Sequence, residues 1–438
     1  MSSIPVSRDL VEDSLKRTGL KSAGKASIRE IVQLVNKLEY HTGIRYVRME
    51  MGVPGLPCPQ IAIEAETAAL NAGVASDYPN ILGIPELKKE ASRFVSLFLD
   101  VSIDPEGCIP TVGSMMGSMI GFLVANRNDH SKEGTLFIDP GFPVQKQQLR
   151  MLGQNFWTFD VYNHRGSKLK DKLESYLATG KVSSLLYSNP NNPTWICLTP
   201  QELEVIGELC RKYDVIVMED LAYFGMDFRK DYSIPGEAPF QPTVAHYTDD
   251  YMLLISSSKI FSYAGQRIGI MAVSDHLYRR TYPDLLRYYS TDVFGHAAVF
   301  GALYGLSAGV AHSVQYGFAA LLRAVNDGSY RYRDEIKEYG EKAGIMKDLF
   351  LANGFKITYE KDLDENIADG FYFTVSYPGM TGTILLEELL YYGISAISLD
   401  ITGSEREGLR ACVSMVQRDQ FSDLGERLAK FREDHPLS

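Results

Sequence analysis

The run SSSKIFSYAGQRIG, residues 256–269, places a candidate reactive amine and a candidate anion clamp within one short stretch. A lone lysine is normally a surface residue. Lys259 is not alone: Ser256 stands three positions before it and Arg267 eight after, and Gly265 and Gly269 let the backbone turn tightly around them. A lysine kept from water beside a guanidinium loses its charge readily and becomes a nucleophile that forms Schiff bases with carbonyls. A serine with an arginine is a natural clamp for a phosphate.

Three further segments ask for a compatible chemistry. In VIVMEDLAYFG, Asp220 follows an apolar run and Tyr223 comes three residues later. A carboxylate at the carboxyl end of a strand is often a turn former, but under a pyridine ring it would keep the ring nitrogen protonated, which makes pyridoxal phosphate an electron sink. In SNPNNPTW, Asn192 is fixed between Asn191 and Pro193 and has an amide to offer a phenolate-like oxygen; by itself the octet reads as a turn. In PTVGSMMGSMIGFLVA, Gly113, Ser114 and Met115 open an apolar helix whose free N–H groups suit an anion, while the glycines at 113, 117 and 121 equally suit close helix packing. The last motif is not G-x-G-x-x-G, which removes the main support for a nicotinamide cofactor.

These residues need elements to hold them. Apolar runs beginning at Thr135, Asn155, Val182, Val215, Met252 and Arg267 alternate with amphipathic stretches, the pattern of an α/β domain with a mostly parallel central sheet flanked by helices. The best-signalled helix is TPQELEVIGELCRKYD, with Thr199 as cap, Pro200 in the first turn and Glu202 behind it. After Asp327 a long charged helix leads into a smaller α+β unit. The first fifty residues hold one helix, SIREIVQLVNKLEY, and one strand-like run, YVRMEMG. The expected division is an N-terminal segment, 1–58, packed on a small C-terminal domain, 328–438, beside a large domain, 59–327.

Taken in order, MGVPGLPCP, DYPNILGIPELKKE, TVGSM, DPGFP, NPNNPT, EDLAYFG, SSSKIFSYAGQRIG and GLRACVSMV resemble the class I/II aminotransferases of the fold-type I pyridoxal phosphate enzymes, and the likeness runs from Gly52 to the last helix. The resemblance implies that Lys259 forms the Schiff base with pyridoxal 5′-phosphate and shuttles a proton. It implies Asp220 on the pyridinium nitrogen, Tyr223 and Asn192 on the ring oxygen, and Phe142 stacked on the ring. Gly113, Ser114, Met115, Ser256 and Arg267 would hold the phosphate, with Tyr78 reaching in from the second subunit of a homodimer. Arg410 would grip the substrate α-carboxylate close to Gly52. The implied activity is transfer of an amino group from an L-amino acid to a 2-oxo acid, 2-oxoglutarate being the expected acceptor, by ping-pong kinetics. Trp195 departs from the glycine usual after N-P-T and is expected to reshape the entrance; Met115 replaces a residue that is usually small or hydroxylated, so its phosphate contact would be through backbone.

Composition bounds what else the chain does. With 44 Lys and Arg against 55 Asp and Glu, the net charge is −11 and no basic face is gathered in the sequence, so nucleic acid is not an expected partner. Five cysteines without a C-x-x-C pair disfavour a disulfide framework and a structural zinc site, and the eight histidines form no helical ligand pair, so no metal is expected. The N-terminus carries charge from its eighth residue, and no stretch approaches the roughly 18 apolar residues of a membrane span, so a soluble cytoplasmic protein is expected. His296, before an apolar helix, lies near the expected substrate entrance; Arg279, Arg280 and Arg287 are candidates for a distal carboxylate, with a solvated helix face as the preferred reading. Two other functions stay open: a carbon-sulfur β-lyase or related synthase sharing every cofactor residue, and a non-catalytic regulator retaining the fold.

Overall fold

The computed structural model describes residues 4–20 and 22–437. The chain opens with helices α1 (Arg8–Thr18) and α2 (Ile28–Thr42) and a two-residue strand, β1 (Val47–Arg48). Helices α3 (Gln60–Asn71) and α4 (Pro85–Leu99) lead into a seven-stranded sheet. Its strands are β2 (Cys108–Thr111), β3 (Gly134–Asp139), β4 (Asn155–Asp160), β5 (Val182–Ser188), β6 (Ile216–Leu221), β7 (Tyr251–Ser256) and β8 (Gly269–Val273). Between them run α5 (Gly113–Ala125), α6 (Pro143–Leu152), α7 (Lys168–Leu177) and α8 (Pro200–Lys212).

The spatial order is β2-β8-β7-β6-β5-β3-β4, and β8 alone runs against its neighbours. Every residue of β6 and β7 is buried, as expected of strands covered on both faces. Alternate side chains divide between two cores: Met252 and Leu254 face one, Leu253 and Ile255 the other. Helix α5 lies close on the sheet because its glycines have no side chain. A Cβ on Gly121 would stand 2.5 Å from the Met218 sulfur and one on Gly117 3.0 Å from Leu254, so these two of the spaced glycines serve packing. The capping box predicted for α8 forms: Thr199 accepts from the Glu202 amide, and the Glu202 carboxylate accepts from the Thr199 amide.

The C-terminal part is a four-stranded antiparallel sheet in the order Ile397–Ser398, Leu409–Cys412, Tyr372–Ser376, Lys356–Ile357, with helices Tyr332–Ala352, Gly382–Tyr391 and Phe421–Asp434 around it. Strand β1 pairs in parallel with Ile394–Ser395, so both chain ends build the same unit. The expectation of a single helix before residue 50 is corrected: α1 is a second one. Its signal is weak because only Val11 and Ser14 are buried along it. It is held from outside, by the Arg8–Glu388 ion pair at 2.8 Å and by the Val6 amide donating to the Tyr391 carbonyl at 2.6 Å.

Candidate active site

Strand register brings the motifs to one edge. Ser188 pairs with Asp220, Ser256 with Gly269, and Gly269 with Thr111, so the ends of β5, β6, β7 and β2 meet the start of β8. This carboxyl edge of an open α/β sheet is where such folds bind ligands. A cleft of about 1500 Å³ opens there, roofed by the C-terminal sheet and by the segment that starts α2.

At its floor Asp220 is 7% exposed. Its carboxylate accepts from Gln145 Nε2 at 2.8 Å and from the Ala222 amide at 3.1 Å. Burial nevertheless raises its pKa to about 6, because a carboxylate out of water needs more than two neutral donors to offset its desolvation. Lys259 is recessed in the same cleft, with Nζ 5.9 Å from the centre of the Phe371 ring and no hydrogen bond or ion pair among the described residues. Burial lowers its pKa to about 8, and the charges of Arg267, Arg410 and Arg29 push it the same way.

One wall is the start of α5. Its cap residue, Val112, has no polar side chain, so the first-turn N–H groups are left to other acceptors. Gly113 has φ +69°, and a Cβ there would come within 2.7 Å of Arg267 Nη2, so only glycine lets the guanidinium lie across the helix start. Ser114 and Met115 face the cleft, as does Ser256, whose Oγ accepts from the Ser258 amide at 3.1 Å. Phe142 closes the side from which α6 begins.

The opposite wall carries Arg410, 2% exposed on the Leu409–Cys412 strand. It donates to the Glu50 carbonyl at 2.6 Å and to Asn192 Oδ1 at 3.4 Å, and lies 4.5 Å from the centre of the Tyr372 ring. Its Nε has no partner, and no carboxylate pairs with it among the described residues. A buried guanidinium without a counter-ion is costly and is stabilised by an incoming anion. Tyr223 and Tyr372 share a 2.8 Å hydrogen bond between hydroxyls, and a Cβ on Gly52 would meet the Tyr372 hydroxyl, which fixes a bare backbone at that point.

Other expected positions fall elsewhere. Trp195 does not reshape the entrance: it is fully buried, edge-on to Tyr223 and Tyr372 at 5.4 and 6.1 Å, because its φ of +64° turns the ring inward beneath them. Tyr78 is 96% exposed and does not line this chain's own cleft. His296 is exposed on Phe300, with ring centres 4.6 Å apart, and is not at the entrance, since a π-helical turn over Ala297–Leu303 buries the apolar side of that segment instead. Arg279, Arg280 and Arg287 pair with Asp104, with Asp214 and Asp250, and with Asp284 respectively, outside the cleft. Gln145 and Tyr372 were missed from sequence. A glutamine within an amphipathic helix and a tyrosine in an aromatic strand carry no local mark, and only the packing of α6 and of the C-terminal sheet directs them here.

A mostly parallel, doubly covered sheet with an amine, a buried carboxylate and an anion cradle at its carboxyl edge defines the fold-type I class of α/β transferases. The family model for aminotransferases of class I and II matches residues 46–413, and the chain belongs to that family. Its members are pyridoxal phosphate-dependent enzymes that move an amino group between an amino acid and a 2-oxo acid, and this protein is such an aminotransferase. It is 25% identical over 339 residues to a probable aspartate aminotransferase of Methanocaldococcus jannaschii, covering 76% of this chain and 80% of that protein. It is 23% identical over 413 residues to an LL-diaminopimelate aminotransferase of Natranaerobius thermophilus, covering 92% and 95%. A solved amino transferase from Eubacterium rectale has the same fold, with a TM-score of 0.76 at 19% identity over 97% of this chain and 99% of that one.

Proposed function

We propose that this chain holds pyridoxal 5′-phosphate in the cleft described above and runs two half-reactions there by ping-pong kinetics, with 2-oxoglutarate as the amino acceptor. The cleft between Asp220 and Arg410 carries this reading: an unpaired amine, a buried carboxylate and an unpaired buried guanidinium face one space. The fit to the cofactor is supported by the cradle of Gly113, Ser114, Met115, Ser256 and Arg267, which offers backbone N–H groups, hydroxyls and a guanidinium to a phosphate. When bound, pyridoxal phosphate supplies an electron sink for the carbanion formed at the substrate Cα.

The chain's own residues do the rest. Asp220, ionised above about pH 6, holds a proton on the ring nitrogen by charge. Gln145 keeps that carboxylate facing the cleft. Tyr223 and Asn192 donate to the ring oxygen and Phe142 covers the ring. Arg410 grips the α-carboxylate beside Gly52 with the donors it has left over, which fixes the Cα–H bond toward Lys259. Lys259 Nζ, whose pKa burial lowers to about 8, is the base placed to take the Cα proton.

The division of the chain at residues 58 and 327 belongs to the same reading, with the cleft between the two units; the pairing of β1 with Ile394–Ser395 supports it. So does a homodimer in which Tyr78 enters the partner's cleft. Its exposure supports this, as does an exposed apolar ridge at Phe300 and Tyr304.

The test supplies the purified, cofactor-loaded protein with single amino acids and 2-oxoglutarate and follows glutamate formation. Parallel initial-rate lines are expected, with loss of at least about 10³-fold in Lys259→Ala. Release of pyruvate and ammonia from cystathionine with no oxo acid required would replace the transferase reading with that of a lyase.

A further inference from the structure

Two phenols inside the cleft share one hydrogen bond: the Tyr223 and Tyr372 hydroxyls lie 2.8 Å apart, and neither has another partner among the described residues. They come from different parts of the fold. Tyr223 follows β6, at the edge that carries Asp220, whereas Tyr372 opens the Tyr372–Ser376 strand of the C-terminal sheet. In that sheet Tyr372 stands opposite Cys412 and Thr374 opposite Arg410, so Tyr372 is the diagonal neighbour of Arg410 on one face. The register thus lays the Arg410 guanidinium 4.5 Å from the centre of the Tyr372 ring.

The two hydroxyls are held in this geometry. Tyr372 is buried, and its oxygen lies so near the backbone of Gly52 that an added Cβ would come within 2.0 Å of it. Trp195 meets both rings edge-on, so neither ring can swing away without displacing the indole. Two hydroxyls carry two protons, and one of these is used between the oxygens. Arg410 decides which. Burial raises the pKa of Tyr372, and the Arg410 charge over its ring offsets part of that rise, which makes Tyr372 the better donor. Tyr372 then donates, Tyr223 accepts, and the Tyr223 proton is left for a second acceptor in the cleft. A hydroxyl that accepts one hydrogen bond is polarised and gives a stronger one.

We infer that Tyr372 is a positioning residue for amino transfer: its hydroxyl donates to Tyr223, and so aims and strengthens the hydrogen bond that Tyr223 gives to the ring oxygen of the cofactor. The inference rests on the proposed seating of pyridoxal phosphate with that oxygen at Tyr223. Sequence carries no mark of the role, because the two tyrosines are brought together only by the approach of the C-terminal sheet to the end of β6.

The test titrates the visible absorbance of the cofactor-loaded protein against pH in wild type, Tyr372→Phe, Tyr223→Phe and the double variant. A donor on the ring oxygen withdraws negative charge that would otherwise hold a proton on Lys259 Nζ in its bond to the cofactor, so weakening that donor raises the midpoint. Tyr372→Phe is expected to raise it by about half a pH unit, Tyr223→Phe by more, and the double variant no further than Tyr223→Phe alone. The other charged and titratable groups around Lys259, namely Asp220, Arg267, Arg29, Arg410 and Cys412, are the same in all four proteins. Phenylalanine keeps a ring beneath Arg410, so KM for the amino acid should change by less than about threefold in Tyr372→Phe. An unmoved midpoint in Tyr372→Phe overturns the inference, whether or not KM rises, and so does an equal shift with and without the Tyr223 hydroxyl. A wild type whose absorbance shows no bound cofactor overturns the reading of the cleft itself, and the inference with it.

Discussion

At the scale of single residues the site is an arrangement of charges held away from their ordinary state. Asp220 is raised from 3.8 to about 6 by burial, so the folded, cofactor-free protein binds its proton more tightly than the unfolded chain does. Its contribution to stability is therefore unchanged below about pH 4, falls as pH rises toward 6, and stays at its lowest above that. Asp220→Asn has no charge to desolvate. In the cofactor-free form it is expected to be more stable than wild type by up to about 3 kcal/mol at pH 8, with the difference vanishing toward pH 4. Urea unfolding at the two pH values measures this, and a destabilised variant at pH 8 would show the carboxylate to be well solvated. The same substitution should lower turnover by at least about a hundredfold, which makes Asp220 a position where stability is given up for chemistry.

At the scale of elements, the loop after β5 and the strand Tyr372–Ser376 fit each other. Trp195 carries a left-handed backbone that ordinarily favours glycine, at a cost of about 1–3 kcal/mol, but its ring fills the space under Tyr223 and Tyr372. Removing a buried tryptophan costs about 3–5 kcal/mol, more than the backbone relief returns, so Trp195→Gly is expected to destabilise by about 2 kcal/mol. The close partner is Gly370, where a Cβ would stand 1.9 Å from the indole. Gly370→Ala alone should unfold at markedly lower urea, and in the Trp195→Gly background should cost little. Additive losses across that double-mutant cycle would disprove the contact.

At the scale of the whole molecule, two sheets face each other across the cleft: the seven-stranded sheet presents Lys259 and Asp220, and the C-terminal sheet presents Arg410. In the proposed reaction neither suffices alone. Buried ion pairs join the two parts, since Arg165 bridges Glu202 of α8 and Asp362 at 2.7 Å each. The proposed dimer places a third contribution, Tyr78, in the neighbouring copy. Charging the apolar ridge with Phe300→Glu and Tyr304→Glu should convert a dimer to a monomer by sedimentation and weaken cofactor retention; a monomeric wild type with full activity would remove Tyr78 from the site.

Short-range pattern was enough to read the parallel sheet, the capped helix α8, and the motifs of Lys259, Asp220 and Gly113, whereas Arg410 was named only through the family resemblance. Each feature read from pattern depends on periodicity, turn chemistry or residues within about a dozen positions of one another. Helix α1 escaped because its stability comes from docking on Gly382–Tyr391 rather than from its own apolar stripe. Trp195 was misplaced because a backbone angle, not its neighbours in sequence, turns it inward. Gln145 lies about 75 residues from the Asp220 it donates to, and Tyr372 about 150 from the Tyr223 it bonds, and only strand register and the packing of distant segments bring each pair together. Local chemistry marked the candidate reacting groups; the surplus of positive charge around them arises from distant segments sharing one space.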